Sequence, residues 1–177
     1  FSPFAVGFVL FEEGALDVKA LRLVSKARAD SDSWSVIGTI DTGNFITVSA
    51  LLDSLTAVGI AFEVYGGTDA LVDAVVFEGE GCKRIGWGAS SKKAGAICRI
   101  KAGGTTVRAK FKRTSSAGSN DEYLRVFAKF PRRSFSISSF TGLVPIDVHV
   151  VSPMGIVFAS DNMACKAKPS KVICKTA

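Results

Sequence analysis

Histidine and closely spaced cysteines are scarce in this chain of 177 residues. It contains one His, and its four cysteines form no Cys-x-x-Cys pair: Cys82, Cys98, Cys165 and Cys174. Structural zinc sites use four Cys or His ligands in closely spaced pairs, so the sequence argues against such a site. The four positions also show no tight disulfide framework. Free thiols in a reducing compartment are therefore expected, with a Cys165–Cys174 bridge as the alternative.

Long apolar segments, glycosylation acceptors and the common nucleotide-binding loops are also missing. The longest apolar runs, such as residues 5–11, are far shorter than the ~18 residues that span a bilayer, so no transmembrane segment is predicted. No Asn begins an Asn-x-Ser/Thr acceptor, and the N-terminal stretch lacks the basic flank and cleavage site of a signal peptide. The Walker and dinucleotide-binding glycine patterns do not occur either. These absences argue against secretion and against nucleotide binding of the usual kinds.

The composition is that of a single globular domain. Hydrophobic residues make up 47% of the chain and charged residues 21%, which supplies enough apolar material for a core. The length corresponds to roughly one domain of 100 to 200 residues. We therefore expect one domain over residues 1–177, with a basic tail at residues 162–177.

Charge is distributed unevenly along the chain. Residues 1–81 hold 4 Lys and Arg against 12 Asp and Glu, a net charge of −8, whereas residues 82–177 hold 18 against 4, a net charge of +14. A basic half of this kind predicts an anionic partner, or contacts between unlike surfaces of neighbouring copies.

One segment of the basic half alternates apolar and cationic side chains. Its period of two predicts a strand with one apolar and one cationic face: Val107, Ala109 and Phe111 against Arg108, Lys110 and Lys112. Cations on alternate residues of a strand lie about 7 Å apart. Residues 96–101 and 122–130 alternate in the same way. If the three strands pair in one sheet, they present a plate of cations that repel one another unless an anion or solvent separates them.

These cations are the candidate binding residues. Each of them can neutralise a phosphate, and the arginines close to the strand ends can extend the surface, so the predicted RNA-binding set is Arg99, Lys101, Arg108, Lys110, Lys112, Arg113, Arg125, Lys129, Arg132 and Arg133. Tyr123 and Phe127 fall on the same predicted face and are candidates for stacking on unpaired bases. The alternative is a solvated basic face without a binding role, since outward sheet faces are normally charged.

The remaining segments predict one helix among strands. Apolar residues recur at helical spacing and predict a short helix near residues 47–56, with Asn44 or Thr47 as its N-cap: Val48, Leu51, Leu52 and Leu55. The period returns to two on either side of Gly66, which predicts a hairpin. Residues 78–93 are rich in glycine and are predicted to be a long loop. Further strands are predicted over residues 4–11, 16–24, 34–40, 146–151 and 154–159.

Catalytic chemistry leaves few traces in the sequence. Asp147 and His149 lie two residues apart and would share a strand face, where a carboxylate can orient the imidazole that serves a nucleophile. No nucleophile elbow accompanies them, and the preferred interpretation is a half-buried His on a strand. We therefore expect no enzyme activity, no cofactor and no metal site.

The order of the elements resembles a known family. Eight or so strands, a short helix after the third, and a long loop after the fifth are similar to the eight-stranded antiparallel jelly roll of small icosahedral coat proteins. The stretch GNFITVSALLDSLTAVGIAFEVYGG, residues 43–67, has the helix-into-strand layout of the small coat proteins of comovirus-like, picorna-like positive-strand RNA plant viruses. Processing from a polyprotein, as in that family, would also account for a first residue that is not Met.

The resemblance implies a structural capsid subunit. Such a subunit associates with homo- or hetero-oligomeric coat protein copies, encloses single-stranded RNA and has no membrane partner. It would reside in the virion, and in the host cytoplasm before assembly. The sequence shows no Arg-rich N-terminal arm of the kind that many plant coat proteins have, so arm-mediated RNA packaging is not expected. Comovirus-like coat proteins resemble this chain in having no such arm.

Two other classes of protein remain open on the sequence alone. A viral movement protein would use the same basic surface to bind single-stranded RNA without forming a shell. A secreted carbohydrate-binding or defence-related β-sandwich would use the cations to bind glycans.

Overall fold

The structure is a computed structural model of the chain. It describes residues 12–42, 46–67, 70–86, 94–102, 105–115, 122–160 and 163–175. The strand predicted over residues 4–11 and the candidate N-cap Asn44 lie outside these ranges.

The described residues form a mostly β structure with one α-helix, as the sequence predicts. The elements in chain order are β1 Glu12–Val24, β2 Asp32–Asp41, α1 Val48–Ala57, β3 Gly59–Gly66, β4 Ala70–Glu78, β5 Cys82–Ile85, β6 Gly95–Ala102, β7 Thr105–Ser115, β8 Glu122–Arg133, β9 Gly142–Val151, β10 Ile156–Ala159, β11 Met163–Lys168 and β12 Lys171–Lys175. The expected number of eight strands is too low, because the described residues contain twelve.

The additional strands come from segments too short to show a clear period. β5 lies inside the predicted loop at residues 78–93, and the predicted basic tail is folded as the β11–β12 hairpin. Four to six residues give only two or three repeats of the alternation, which is too few to distinguish a strand from a loop. Their pairing partners, which lie elsewhere in the chain, are what make them strands.

All twelve strands belong to one hydrogen-bonded sheet. Its order is β4-β3-β9-β11-β12-β1-β2-β8-β7-β6-β5, and β10 lies off this path, parallel to β1 and antiparallel to β9. The sheet folds over so that its two ends face each other. The ring of Phe62 on β3 lies 5.2 Å from that of Phe130 on β8 and 6.0 Å from that of Phe111 on β7, measured between centroids, although these strands are not neighbours in the sheet. The core lies between the two ends.

A buried polar cluster joins the same two ends of the sheet. The indole Nε1 of Trp34 on β2 donates a hydrogen bond of 2.7 Å to the carboxylate of Asp73 on β4. The guanidinium of Arg133 on β8 donates to both oxygens of Asp73, each at 2.7 Å, and to the carbonyl of Ala74. Asp73 is buried, so this carboxylate has exchanged water for three protein donors.

The helix begins and ends almost where the sequence predicts. Thr47 is its N-cap, and the Oγ1 of Thr47 accepts a hydrogen bond from the backbone nitrogen of Ala50. The four apolar residues at helical spacing are all buried: Val48, Leu51, Leu52 and Leu55. Gly59 follows the helix with φ +116°, a conformation that favours glycine. Within the described ranges no helix is long and apolar enough to cross a membrane.

The expectation of free thiols is wrong, because all four cysteines form disulfides. Cys82 on β5 pairs with Cys98, its cross-strand partner on β6, and Cys165 on β11 pairs with Cys174 on β12. The first pair is separated by 16 residues, and its partners become neighbours only because β5 lies at the edge of the sheet beside β6. The spacing of the cysteines in the sequence did not predict the Cys82–Cys98 disulfide, whereas the Cys165–Cys174 bridge was the alternative considered.

Candidate nucleic-acid interface

The predicted cations lie on the outer face of three neighbouring strands. β6, β7 and β8 pair antiparallel, with Arg99 opposite Arg108 and Arg108 opposite Lys129. Four residues further along β7, Lys112 lies opposite Arg125. Neighbouring strands are about 4.8 Å apart. We call the seven exposed cations of this face the basic plate: Arg99, Lys101, Arg108, Lys110, Lys112, Arg125 and Lys129.

The two faces of β7 are separated as the alternation predicts. Val107, Ala109 and Phe111 are buried, and the ring of Phe111 has no exposed surface. The cations between them are exposed. The predicted assignment of the faces is therefore confirmed, while the role of the plate in RNA binding stays a prediction.

Among the described residues, few acidic side chains lie near the cations of the plate. In the part of the chain that the structure describes, no carboxylate lies within ion-pair distance of a plate cation. The acidic side chains of Glu78 and Glu80 border only one margin, beside Arg99 and Lys101. Exposed like charges at this spacing repel one another weakly in water and favour a bound polyanion.

A shallow hollow of about 430 Å³ lies in the plate where β2, β8 and β7 adjoin. The half-buried side chains of Phe127 and Ile37 form its apolar part, and the cations Arg108, Lys110 and Lys129 line it as well. The guanidinium carbon of Arg125 lies 4.8 Å from the ring centroid of Phe127. An aromatic ring among cations can contact a flat ring and an anionic group of the same ligand.

Tyr123, the second predicted stacking residue, lies further along β8. It occupies the outer face, is half-buried, and stands opposite Thr114 on one side and Asp41 on the other. Four residues of strand place it about 14 Å from Phe127. The two rings therefore serve different positions on the surface, with Arg125 between them.

Three arginines of the predicted set lie outside the plate. Arg113 is half-buried on the other side of β7, opposite the buried Leu124. Arg132 is exposed at the end of β8, where its φ is +55°. Arg133 is the arginine bound to Asp73, and that hydrogen bond raises the pKa of its guanidinium. The Nε and Nη2 donors of Arg133 are used within the fold, and its role in extending the plate stays a prediction.

The structure also adds residues that sequence reasoning missed. Ile37 and Ser35 line the hollow from β2, and Arg22 on β1 lies opposite Ser35. β1 and β2 lie in the acidic half of the sequence, more than 80 residues before β8. The pairing of β2 with β8 brings β1 and β2 beside the plate. A local sequence pattern does not predict a pairing between such distant segments.

Asp147 and His149 lie half-buried on β9, far from the plate in the sheet order. The His149 ring lies 4.7 Å from that of Tyr65, centroid to centroid, and its cross-strand partner is Glu63. The Tyr65 hydroxyl donates a hydrogen bond of 2.6 Å to Glu63. Burial, and then the contact with Glu63, raise the pKa of Tyr65 above its usual value. The prediction of a half-buried His on a strand is confirmed.

Neither a protein-family model, nor a curated protein, nor a solved structure matches the chain. Among the described residues, no group of three or more His, Cys, Asp or Glu is arranged to hold a metal ion. The geometry and charge of the sheet surface are therefore the features that bear on function.

Proposed function

We propose that this chain is a structural capsid subunit that binds single-stranded RNA through the basic plate and assembles with other coat protein copies into an icosahedral shell. The observation that supports RNA binding is the cross-strand alignment of seven exposed cations on β6, β7 and β8, which form no ion pair with any described residue. Phosphates bound there would release counterions, and that release favours association.

The hollow beside Phe127 favours single-stranded over double-stranded RNA. A base can contact the Phe127 ring only if it is not paired and stacked within a helix. The cations Arg108, Lys110 and Lys129 around the same hollow would hold the phosphates that flank that base. Such contacts use charge and stacking, so the proposed binding has little dependence on RNA sequence.

The fold proposed for this role is an elaborated antiparallel jelly roll. Pairings between strands far apart in sequence, such as β1 with β12 and β2 with β8, support it, since Greek-key connections produce such neighbours. The short strands β5 and β10 would be among the additions to the eight-stranded pattern. In this proposal the chain has no catalytic role, and it acts in the virion after passing through the host cytoplasm.

The two disulfides favour a second candidate function. Disulfides persist in oxidising environments and are rare in the cytosol, although they also occur on virion surfaces. A secreted β-sheet protein with two disulfides could use the same plate to bind sulfated or otherwise anionic glycans. A capsid subunit would acquire its disulfides after assembly and release.

RNA binding is tested by reversing charge at the centre of the plate. We expect Arg108→Glu with Lys110→Glu to lower the affinity for a single-stranded oligonucleotide at least tenfold at low salt, because two phosphate contacts are lost and repulsion replaces them. Both side chains are exposed, so the unfolding midpoint should change little. The measurement is fluorescence anisotropy over a range of salt concentrations.

The matched control is Arg108→Lys with Lys110→Arg, which keeps both charges. Its affinity should equal that of the unmodified protein. A charge-reversed variant that binds RNA as tightly as this control would contradict the proposal. An unmodified protein that binds heparin more tightly than RNA would favour the glycan-binding alternative.

A further inference from the structure

The terminal hairpin presents a second group of cations on the outer surface of the sheet. β11 and β12 carry four lysines on the side away from the core, and the hairpin is closed by the Cys165–Cys174 disulfide: Lys166, Lys168, Lys171 and Lys175. Cys165, Val172 and Cys174, which alternate with them, are buried. The hairpin therefore repeats the two-faced pattern of β7 at another place in the sheet.

These lysines surround an open groove of about 400 Å³. Leu143 and Ile173 contribute apolar surface to it, and Leu143 is 76% exposed. None of the four lysines has an ion-pair partner in the described part of the chain. The groove thus combines uncompensated positive charge with apolar surface, as the hollow of the plate does.

One cross-strand row connects the groove with the plate. From the plate, Lys129 lies opposite Ser35, and Ser35 lies opposite Arg22 on β1. Arg22 in turn lies opposite Ile173, and Ile173 lies opposite Lys166. Continued through β7 and β6, the row contains five cations in seven strands and no acidic residue: Arg99, Arg108, Lys129, Arg22 and Lys166.

The length of this row suits a flexible polyanion. Seven neighbouring strands span about 29 Å along the sheet surface. The sheet folds over between its ends, as the contact of Phe62 with Phe130 requires, so the row follows a curved surface. A single strand can follow such a curve, whereas a stiff duplex would have to bend.

Apart from Glu78 and Glu80, which border its Arg99 end, the acidic residues described on the same surface lie to one side of the row. Asp17 on β1 forms an ion pair with Lys19. Asp17 lies opposite Thr39, and Thr39 lies opposite Arg125, so Asp17 belongs to a different cross-strand row. Asp41 lies further along β2, beside Tyr123. Arg22 is exposed and has no acidic partner within the described ranges.

From these observations we infer that single-stranded RNA held on the basic plate continues along this row, over Arg22, onto the lysines of the terminal hairpin. The inference rests on the proposed function of the plate and extends it to a site that lies in a different part of the sequence. With the hairpin included, a single RNA molecule would cross seven strands, compared with the three strands of the plate.

The test neutralises the hairpin and varies the length of the RNA. The variant carries Lys166→Gln, Lys168→Gln, Lys171→Gln and Lys175→Gln in the full chain, and the probes are oligouridylates of about 4 and about 12 nucleotides. With the longer probe, the slope of log K against log salt should shrink by about 0.7 for each lysine that contacts RNA, hence by about 3 for all four. With the shorter probe, which the larger group of plate cations can hold alone, the slope should change little.

Two controls accompany this variant. Replacing the same four lysines by Arg keeps the charge and should leave both slopes unchanged. Arg22→Gln alone should reduce the slope by about 0.7 with the longer probe only, and it serves as the test if the fourfold variant fails to fold.

The outcomes separate this inference from the proposal on which it rests. An unchanged slope with the longer probe in the Gln variants, together with a loss of binding in Arg108→Glu with Lys110→Glu, would overturn the hairpin extension and leave the plate in place. An unmodified protein without affinity for either probe would overturn both. Equal losses with the short and long probes would also overturn the extension, because they would indicate a general effect of net charge.

Discussion

At the scale of single residues, the buried carboxylate of Asp73 has a large expected effect on stability. It accepts hydrogen bonds from Trp34 and Arg133 and connects β4 to β2 and β8 across the core. Asp73→Asn leaves the half-buried Arg133 without a countercharge. We expect the free energy of unfolding to fall by about 3 kcal/mol, measured by urea denaturation.

The matched control for Asp73 is Asp53→Asn on the helix. The Asp53 carboxylate is 67% exposed and lies 3.6 Å from the Nε of Arg84. An exposed pair of this kind contributes less than about 1 kcal/mol. Similar losses in the two variants would show that the Asp73 cluster does not hold the sheet ends together.

The raised pKa of Tyr65 leads us to expect a loss of stability in alkaline solution. Burial and the bond to Glu63 raise the pKa of Tyr65 above its usual value of 10.0, so above pH 10 the folded state keeps a proton that the unfolded state has lost. The free energy of unfolding therefore falls as the pH rises past 10. The slope for one proton is at most about 1.4 kcal/mol per pH unit, and the total loss of stability is limited because solvent reaches part of the ring.

The measurement compares Tyr65→Phe with Tyr123→Phe. The sequence contains only these two tyrosines, so the difference in ultraviolet absorbance between the unmodified protein and each variant isolates one phenol. Tyr65→Phe should flatten the alkaline decline, and Tyr123→Phe should preserve it. Equal declines in both variants would contradict the assignment.

At the scale of elements, each disulfide fixes a pair of short strands. Cys165 and Cys174 enclose the turn of the β11–β12 hairpin, with a sequence separation of 9, and Cys82 and Cys98 fix β5 to β6, with a separation of 16. In the chain-entropy model, loops of these lengths correspond to about 2.5 and about 3 kcal/mol. We expect Cys165→Ala with Cys174→Ala, and separately Cys82→Ala with Cys98→Ala, to lose about these amounts in guanidinium unfolding.

Reduction provides the control for the disulfide prediction. A reducing agent should lower the unfolding midpoint of the unmodified protein and should have a smaller effect on each double variant, which retains one bridge. No change in the unmodified protein would show that the cysteines are not bonded in solution.

The elements that the sequence predicts well are those with a long local pattern. The helix and the three strands of the plate show several repeats of their period, and the structure places them within about two residues of the prediction at most ends. β5 and the β11–β12 hairpin were missed because they are short. A disulfide and a neighbouring strand stabilise each of them, and neither is visible within a local window of sequence.

At the scale of the whole molecule, the prediction concerns assembly. A capsid subunit should be recovered from purification as large closed particles that contain RNA, visible by electron microscopy and rapid sedimentation. Self-association would also bring the oppositely charged surfaces of neighbouring copies together. Particles should therefore dissociate at high salt, which analytical ultracentrifugation measures.

Other results of the same purification would favour the other classes of protein. A soluble monomer that binds single-stranded RNA would favour a movement protein. A disulfide-bonded monomer that is indifferent to RNA would favour the glycan-binding class.

The sequence by itself determined which side chains of each long strand face the core and which face outward. That information is local, because alternate residues of a strand point to opposite sides wherever the strand lies. It was sufficient to place Arg108, Lys110 and Lys112 on one exposed face. It also gave the helix, whose apolar spacing and N-cap lie within a dozen residues.

Only the tertiary structure decided which strands are neighbours. The pairing of β2 with β8, and of β1 with β12, joins segments separated by about half of the chain or more, and such pairings depend on how the whole sheet closes around its core. Because of how the strands are arranged in the sheet, Arg133 binds Asp73 and the cysteines form their disulfides. The same arrangement aligns Arg22 with the plate and the hairpin. The charges were visible in the sequence, but their order across the surface is a property of the folded sheet.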